Sequence, residues 1–247
     1  MRRLFSPRWI VVHLGVALLA FTMVNLGLWQ LRRLDEKRTF NARLTAATTE
    51  PVVDLFRTPA WKSTDVVPTE WSRVVAEGTY DAGDAVTIVN RSQDGTAGYD
   101  TLVPLVLTDG RVLFVNRGFV PLSTAAPTVP SGEIKVVGYV RSSQTRSALG
   151  AVDSTDPSAT EFQRFDIDLI ARRLGQEHFP WFLQRVKESP APSGPWPATV
   201  PLPELTEGPH LSYAVQWFFF TAVALTAWVV VVRRKLREDL SSPGAPG

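Results

Sequence analysis

The chain of 247 residues contains no cysteine and only three histidines. Without thiols there is no disulfide, no cysteine-based zinc or iron–sulfur site, no thiol redox chemistry and no thiolate copper site. A thiol-based copper chaperone is thereby excluded, and any folded domain must hold together by burial alone. Catalytic fingerprints are missing as well: the sequence has no Gly-x-Ser-x-Gly, no His-Glu-x-x-His, no phosphate loop and no Gly-x-Gly-x-x-Gly. Asp166 and Asp168 diverge by about 200° on a helix and cannot act as a carboxylate pair. No enzymatic turnover is expected.

Charge is absent from two long stretches. Charged residues make up 20 % of the chain, apolar ones 45 %, and the mean hydropathy of +0.01 is that of an ordinary soluble protein. The averages mislead, because residues 9–29 and 211–232 carry no Asp, Glu, Lys or Arg. Each run is long enough to cross a hydrocarbon core of about 30 Å at about 1.5 Å per residue. Two transmembrane helices are expected. The first exceeds the apolar core of a signal peptide, and Trp29, Gln30 and Arg32 follow it where a small-x-small cleavage site would stand.

Orientation is read from charge. The tails 1–8 and 233–247 hold seven basic residues (Arg2, Arg3, Arg8, Arg233, Arg234, Lys235, Arg237) against Glu238 and Asp239, which leaves 19 basic and 22 acidic residues between them. The positive-inside rule then puts both tails in the cytoplasm and the segment 30–210 outside it, although Arg32, Arg33, Lys37 and Arg38 pull weakly the other way. Eight residues before the first run leave no room for a mitochondrial transit peptide, so a bacterial plasma membrane is expected. Tails of this size hold no signalling output domain. The pI of about 9.1 resides largely in these flanks and reads as anchoring to anionic lipid, not nucleic-acid binding.

Between the runs the pattern changes. Residues 31–44 suit a helix leaving the membrane, and 52–68 read as a loop with at most one helical turn. Alternating Val, Thr, Ile, Tyr and Phe then predict strands at 71–80, 85–90, 99–107, 112–117, 134–141 and 179–186. Asp109-Gly110 predicts a two-residue hairpin with positive φ at both positions, pairing strands 99–107 and 111–117. Residues 165–174 predict one short helix, with Asp166 and Asp168 early and Arg172 and Arg173 late, as the helix dipole favours. The stretch 189–203 contains six prolines and reads as an extended strap returning the chain to the second run. Residues 241–247 read as a disordered tail. The fold class expected is a membrane-anchored α+β protein: two transmembrane helices flank a mainly antiparallel β domain, barrel or sandwich, with one short helix.

The three histidines are His13 inside the first run, His178 in the β region and His210 at the mouth of the second run. His13 and His210, about 20 Å apart in depth, cannot share one metal; His13 either serves a function in the span or hydrogen-bonds a neighbouring helix. His210 shares a helix face with Trp217, and Tyr213 lies about 60° away. The imidazole beside this aromatic stripe suits an axial haem ligand with a platform for the macrocycle; alternatively the stripe is an aromatic belt with a hydrated histidine next to it. Trp29, Gln30 and Arg32 end the first run on the same side. Arg32 and its neighbour Arg33 suit haem propionates or lipid phosphates. Arg117-Gly118-Phe119 breaks a strand at a shaped corner, where Arg117 either meets a partner or pairs an internal carboxylate.

Four stretches carry a resemblance: Leu26-Gly27-Leu28-Trp29-Gln30-Leu31-Arg32-Arg33 with Lys37, Glu77-Gly78-Thr79-Tyr80-Asp81, Val115-Asn116-Arg117-Gly118-Phe119-Val120-Pro121, and His210-Leu211-Ser212-Tyr213-Ala214-Val215-Gln216-Trp217-Phe218. Gly138-Tyr139-Val140-Arg141 and Phe165-Asp166 match weaker positions. Together they resemble the Surfeit locus protein family of cytochrome c oxidase assembly factors, over nearly the whole chain. The resemblance implies a protein that assists maturation of the haem–copper oxidase by handling haem a near its catalytic subunit. His210 is then the haem-iron ligand, and Tyr213, Trp217, Trp29, Gln30 and Arg32 surround the cofactor. Arg117, Gly118 and Phe119 form a partner surface for the oxidase or other respiratory-complex subunits. The chain departs from the family at Glu207-Gly208-Pro209, where an Asn-rich approach is common, and at Gln144, where an acidic residue is frequent. Two functions stay open: a haem-handling chaperone with His210 at its working site, and a scaffold subunit that binds the oxidase stably without touching haem.

Overall fold

The computed structural model describes residues 6–57 and 67–241, with side chains of the last helix through Glu238. Residues 58–66 of the expected loop, Arg2 and Arg3, and residues 242–247 of the expected tail lie outside the described residues. The elements run α1 (Pro7–Thr49), β1 (Val53–Asp54), β2 (Arg73–Tyr80), β3 (Val86–Gln93), β4 (Thr96–Leu107), β5 (Val112–Pro121), β6 (Glu133–Ser142), β7 (Glu161–Phe162), α2 (Ile167–Ala171), β8 (His178–Ser189) and α3 (His210–Ser241). The chain divides into two units, a helical one made of Met1–Arg43 with Glu204–Gly247 and a β unit of Leu44–Pro203.

In the helical unit α1 and α3 are both long and apolar enough to cross a membrane, and only 6 % of each apolar window is covered by protein. A soluble core helix would be buried on most sides, so these two are membrane helices. The shielded positions recur in alternating steps of four and three: Trp9, His13, Val16, Ala20, Met23, Gly27, Gln30 and Leu34 on α1, and His210, Ala214, Trp217, Thr221, Ala224 and Trp228 on α3. That is the heptad seam of a two-helix coiled coil. The pairing is antiparallel. Trp228 Nε1 donates to His13 Nδ1 at 3.1 Å near one end, so His13 takes its hydrogen-bonding role. Midway, the Phe218 ring rests on Gly27, where a Cβ would lie 2.7 Å from it, and a small residue lets the helices approach. Past the apolar run, Arg38 forks onto both carboxylate oxygens of Glu207 at 2.8 and 3.0 Å. The helix α1 runs twenty residues beyond the expected end of its span, as the charged stretch after Leu31 continues the helix and Arg33 pairs with Glu36 at 2.6 Å.

In the β unit the strands form the order β1-β2-β6-β8-β5-β4-β3-β7, and a further pairing of β2 with β4 closes β2, β6, β8, β5 and β4 into a ring. The domain is therefore a closed five-stranded barrel, not a sandwich. Closure occurs at Gly78, paired with Leu107 on β4 and Ile134 on β6; a Cβ there would lie 2.3 Å from the Val106 carbonyl oxygen. All pairings in the ring are antiparallel except β5 with β8. Alternation decides which side chains enter: Leu113 and Val115 of β5 and Trp181 and Leu183 of β8 fill the barrel with Val74, Val103, Leu105 and Ile134. Their neighbours Phe114 and Phe182 face a second core made with Val86, Ile88, Leu102 and α2 residues Ile167 and Ile170.

Three local readings are corrected. Only Gly110, not Asp109, has positive φ, because the turn spans three residues, with Gly110 N bonded to Leu107 O and Leu107 N to Arg111 O. The two-residue hairpin with both residues left-handed is Asp94-Gly95, at φ 51° and 76°, joining β3 to β4. The stretch after Pro51 contains the two-residue strand β1, parallel to β2, and β7 adds a second short parallel strand to β3. The helix α2 is shorter than expected; its start is capped by the Asp166 side chain, which accepts from Leu169 N at 3.2 Å.

The proline-rich strap is tied to the barrel by two hydrogen bonds of 2.9 Å between Phe119 and Ala198. Gly118 makes the approach possible, since it has φ +123° and a Cβ would collide with the Ala198 carbonyl oxygen. Gly118→Ala is expected to destabilise the barrel by about 3 kcal/mol through strain and loss of the strap contact. Chemical unfolding of the full chain in detergent tests this; an unchanged midpoint would contradict it.

Candidate functional site

At the start of α3, Pro209 has no N–H to leave unpaired and His210 enters the first turn. Its ring turns toward α1, where Nδ1 lies 2.8 Å from Gln30 Oε1. A carbonyl oxygen only accepts, so Nδ1 carries the proton and donates. Nε2 then presents a lone pair, and it has no hydrogen-bond partner among the described residues. The neighbour on that side is Gly208, at φ +65°, where a Cβ would lie 3.6 Å from Nε2. The loop before the helix is fixed by Glu207 on Arg38 and by Asn41 Nδ2 donating to Thr206 O at 3.3 Å. The Arg38 guanidinium holds the Glu207 carboxyl below its ordinary range.

The sequence reading placed five residues around this imidazole, and the structure brings one of them, Gln30, into contact with it. Trp217 shares the face of His210 as expected, but that face is the seam with α1, and its ring stands edge-on to Phe220 at 6.4 Å. Trp29 and Tyr213 are 47 % and 45 % exposed, their rings free on the outer side of the pair. Two positions along a helix turn a side chain about 200°, so Arg32 lies on a different face from Gln30 and lines a shallow groove with Leu28, Leu31, Asp35 and Glu36. Among the described residues no group of three or more His, Asp or Glu could hold a metal ion. The site offers an iron one imidazole nitrogen and no cage.

A second polar assembly lies in the β unit. Arg117 is 1 % exposed, and Gly118 and Phe119 are buried, so this corner does not offer its side chains to a partner. Arg117 reaches Glu188 through Nη2 at 2.7 Å and Nε at 3.3 Å, and Nη1 donates to Thr128 O. Tyr80 Oη donates to the same carboxylate at 2.9 Å. Arg185 donates to the carbonyls of Arg117 at 2.6 Å and Pro197 at 2.5 Å and stands 3.4 Å from Glu188. Burial first, then the Glu188 charge, pushes the Tyr80 hydroxyl far above its ordinary range, and burial lowers Arg185. Two bulges create the cluster. Arg117 is the extra residue of β5 opposite Thr101 and Leu102, and a slip at Val137/Gly138 shifts β8 so that Arg185 and Glu188 face the same side. Sequence reasoning missed Glu188, Arg185 and Tyr80. A carboxylate 71 residues from its arginine leaves no local signal.

His178 has Nε2 3.4 Å from Asp168 and Nδ1 3.3 Å from Gln176 O, a local surface contact.

A seam of two membrane helices with a histidine–glutamine contact, and a closed barrel in the segment between them, define a membrane-anchored barrel protein. The SURF1 family model matches residues 17–222, and the chain belongs to that family. It is 27 % identical to Surfeit locus protein 1 of Takifugu rubripes over 89 % of this chain and 96 % of that protein. It is likewise 27 % identical to a SURF1-like protein of Monosiga brevicollis, over 88 % of this chain and 87 % of the relative. An uncharacterised SURF1-like protein of Mycobacterium bovis is 25 % identical over 97 % of this chain and 90 % of its own length.

Glu188→Ala leaves two buried guanidinium groups without their carboxylate and is expected to cost about 3–5 kcal/mol. Tyr80→Phe removes one hydrogen bond to a charged group and is expected to cost about 1.5–3 kcal/mol. Chemical unfolding of the full chain, followed by near-UV circular dichroism, orders the two; equal midpoints would refute the shared-carboxylate account.

Proposed function

We propose that the protein is an assembly factor for a haem–copper cytochrome c oxidase in a bacterial plasma membrane, and that it handles haem a on the Nε2 of His210. The single observation that carries this reading is the 2.8 Å contact of His210 Nδ1 with Gln30 Oε1, which fixes the tautomer whose free nitrogen can ligate iron. Haem iron, when bound, supplies an electrophilic centre for a neutral imidazole. Gln30 does the rest of the positioning, holding the proton at Nδ1 and the ring's orientation together. Gly208 leaves the Nε2 side without a Cβ, and Trp29 and Tyr213 supply exposed aromatic surface of the kind a flat macrocycle covers. Membership of the SURF1 family supports an oxidase-assembly role. No step of turnover is needed for such a role, and none is assigned. With both basic tails in the cytoplasm, His210 and the barrel belong to the opposite side of the membrane. The partner in this reading is the catalytic subunit of the oxidase.

The test is the visible spectrum of the full chain purified from haem a-producing cells with the oxidase removed. The native chain is expected to carry haem a, His210→Ala to lose it, and Gln30→Leu to retain His210 but bind about 10–100-fold more weakly with a shifted spectrum. A native chain without haem, or a His210→Ala spectrum identical to the native one, would sink the haem reading and leave a stably bound scaffold subunit.

A further inference from the structure

The β unit contains a cavity of about 220 Å³ that the haem reading does not use, walled by Arg91, Asp100, Asn116, Arg141 and Gln184 over the Phe165 and Phe182 rings. Those rings stack face to face at 4.5 Å and 15° and are buried, so they present an apolar edge to the cavity.

The arginines differ in how far they are committed. Arg141 is held on three sides: its guanidinium lies 3.8 Å over the Trp71 ring, Nε meets Glu70 at 3.1 Å, and Nη1 donates to Gln184 Oε1 at 2.8 Å. Arg91 is held more loosely. Nη2 donates to Gln163 O at 3.5 Å, and the buried Nε has no hydrogen-bond acceptor and pairs with Asp100 Oδ2 only at 3.9 Å. A guanidinium has five N–H donors, so most of Arg91's capacity is unused.

This arginine is carried to the cavity wall by a register shift. Between Ile88 and Arg91 the β3 strand gains a residue relative to β4, with Asn90 at φ 58°, so Arg91 takes the inward side that plain alternation would give to Asn90. The guanidinium then lies 5.1 Å from the centre of the Phe165 ring. Beside it stands Asp100, buried and accepting from Asn116 Nδ2 at 3.3 Å. Arg91, Arg141 and Asp100 together give the wall a formal charge of +1. A single negative charge on a ligand balances that net charge.

We propose that this cavity is a binding site for a small organic carboxylate, its charged end on Arg91 and its apolar body on the Phe165 and Phe182 rings. The volume, about seven times the share of one water molecule in the liquid, suits a ligand of roughly ten heavy atoms.

The probe is 4-fluorobenzoate, followed by fluorine NMR on the full chain in nanodiscs, with empty nanodiscs subtracted. Saturable binding that unlabelled benzoate displaces is expected, with the neutral amide 4-fluorobenzamide and inorganic phosphate failing to compete. Arg91→Gln should weaken 4-fluorobenzoate about tenfold, and Asp100→Asn, which keeps a polar partner for Asn116 and removes the negative charge, should tighten it several-fold. Opposite shifts in the two variants separate charge recognition from damage to the fold, which would weaken both. Absence of saturable binding, equal competition by the amide or phosphate, or both variants moving in one direction would overturn the proposal. Should Arg91→Gln not fold, Asp100→Asn and the amide comparison decide it on their own.

Discussion

Every residue of β5 from Val112 to Pro121 is buried, and the strand is hydrogen-bonded along both edges, antiparallel to β4 and parallel to β8. A strand in that position must fill two cores at once, so its odd residues Leu113 and Val115 enter the barrel while Val112 and Phe114 enter the core beneath α2. The same constraint governs its polar end. Asn116 and Arg117 are as buried as the residues before them, and a buried guanidinium without an anion would cost several kcal/mol. Glu188 and the carbonyls of Thr128, Arg117 and Pro197 supply what Arg117 and Arg185 need.

The helical unit solves a different problem with similar means. Its outer faces suit lipid, so little hydrophobic force drives the two helices together. Packing at Gly27 and the contacts of Trp228 with His13, Gln30 with His210 and Arg38 with Glu207 hold the pair in one register instead. Seventeen residues of α1, about 25 Å of helix, separate the two histidine contacts. The two imidazoles differ in what they leave open: His13 accepts on Nδ1 from an indole, whereas His210 donates from Nδ1 and keeps Nε2 free.

The features set by local pattern were legible. The two spans, the alternating strands, the β4–β5 pairing and the short helix with Asp166 near its start all follow from periodicity or nearest-neighbour chemistry. Choosing between two Asp-Gly pairs was harder, because the turn type depends on where cross-strand pairing stops; Leu107 pairs with Arg111 and leaves three residues, whereas Gln93 pairs with Thr96 and leaves two. The two-residue strands β1 and β7 are too short to carry a period. The helix seam was present in the sequence at steps of four and three, yet apolar residues all around each helix hid it. His210 with Gln30 was within reach as a pair of motifs, but Arg32, two residues on, belongs to another face.

What the sequence could not express was the bulge. One added residue reverses the face of everything after it, so Arg91 replaces Asn90 on the inner side, Arg117 stands opposite no partner on β4, and Glu188 joins Arg185 three positions earlier. Regular alternation would send such charges wherever parity dictates; the slips instead gather them where another charge is waiting, Arg117 and Arg185 around Glu188 and Arg91 near Asp100. The barrel thus keeps a conventional apolar filling over most of its length and concentrates its buried charge where the register changes.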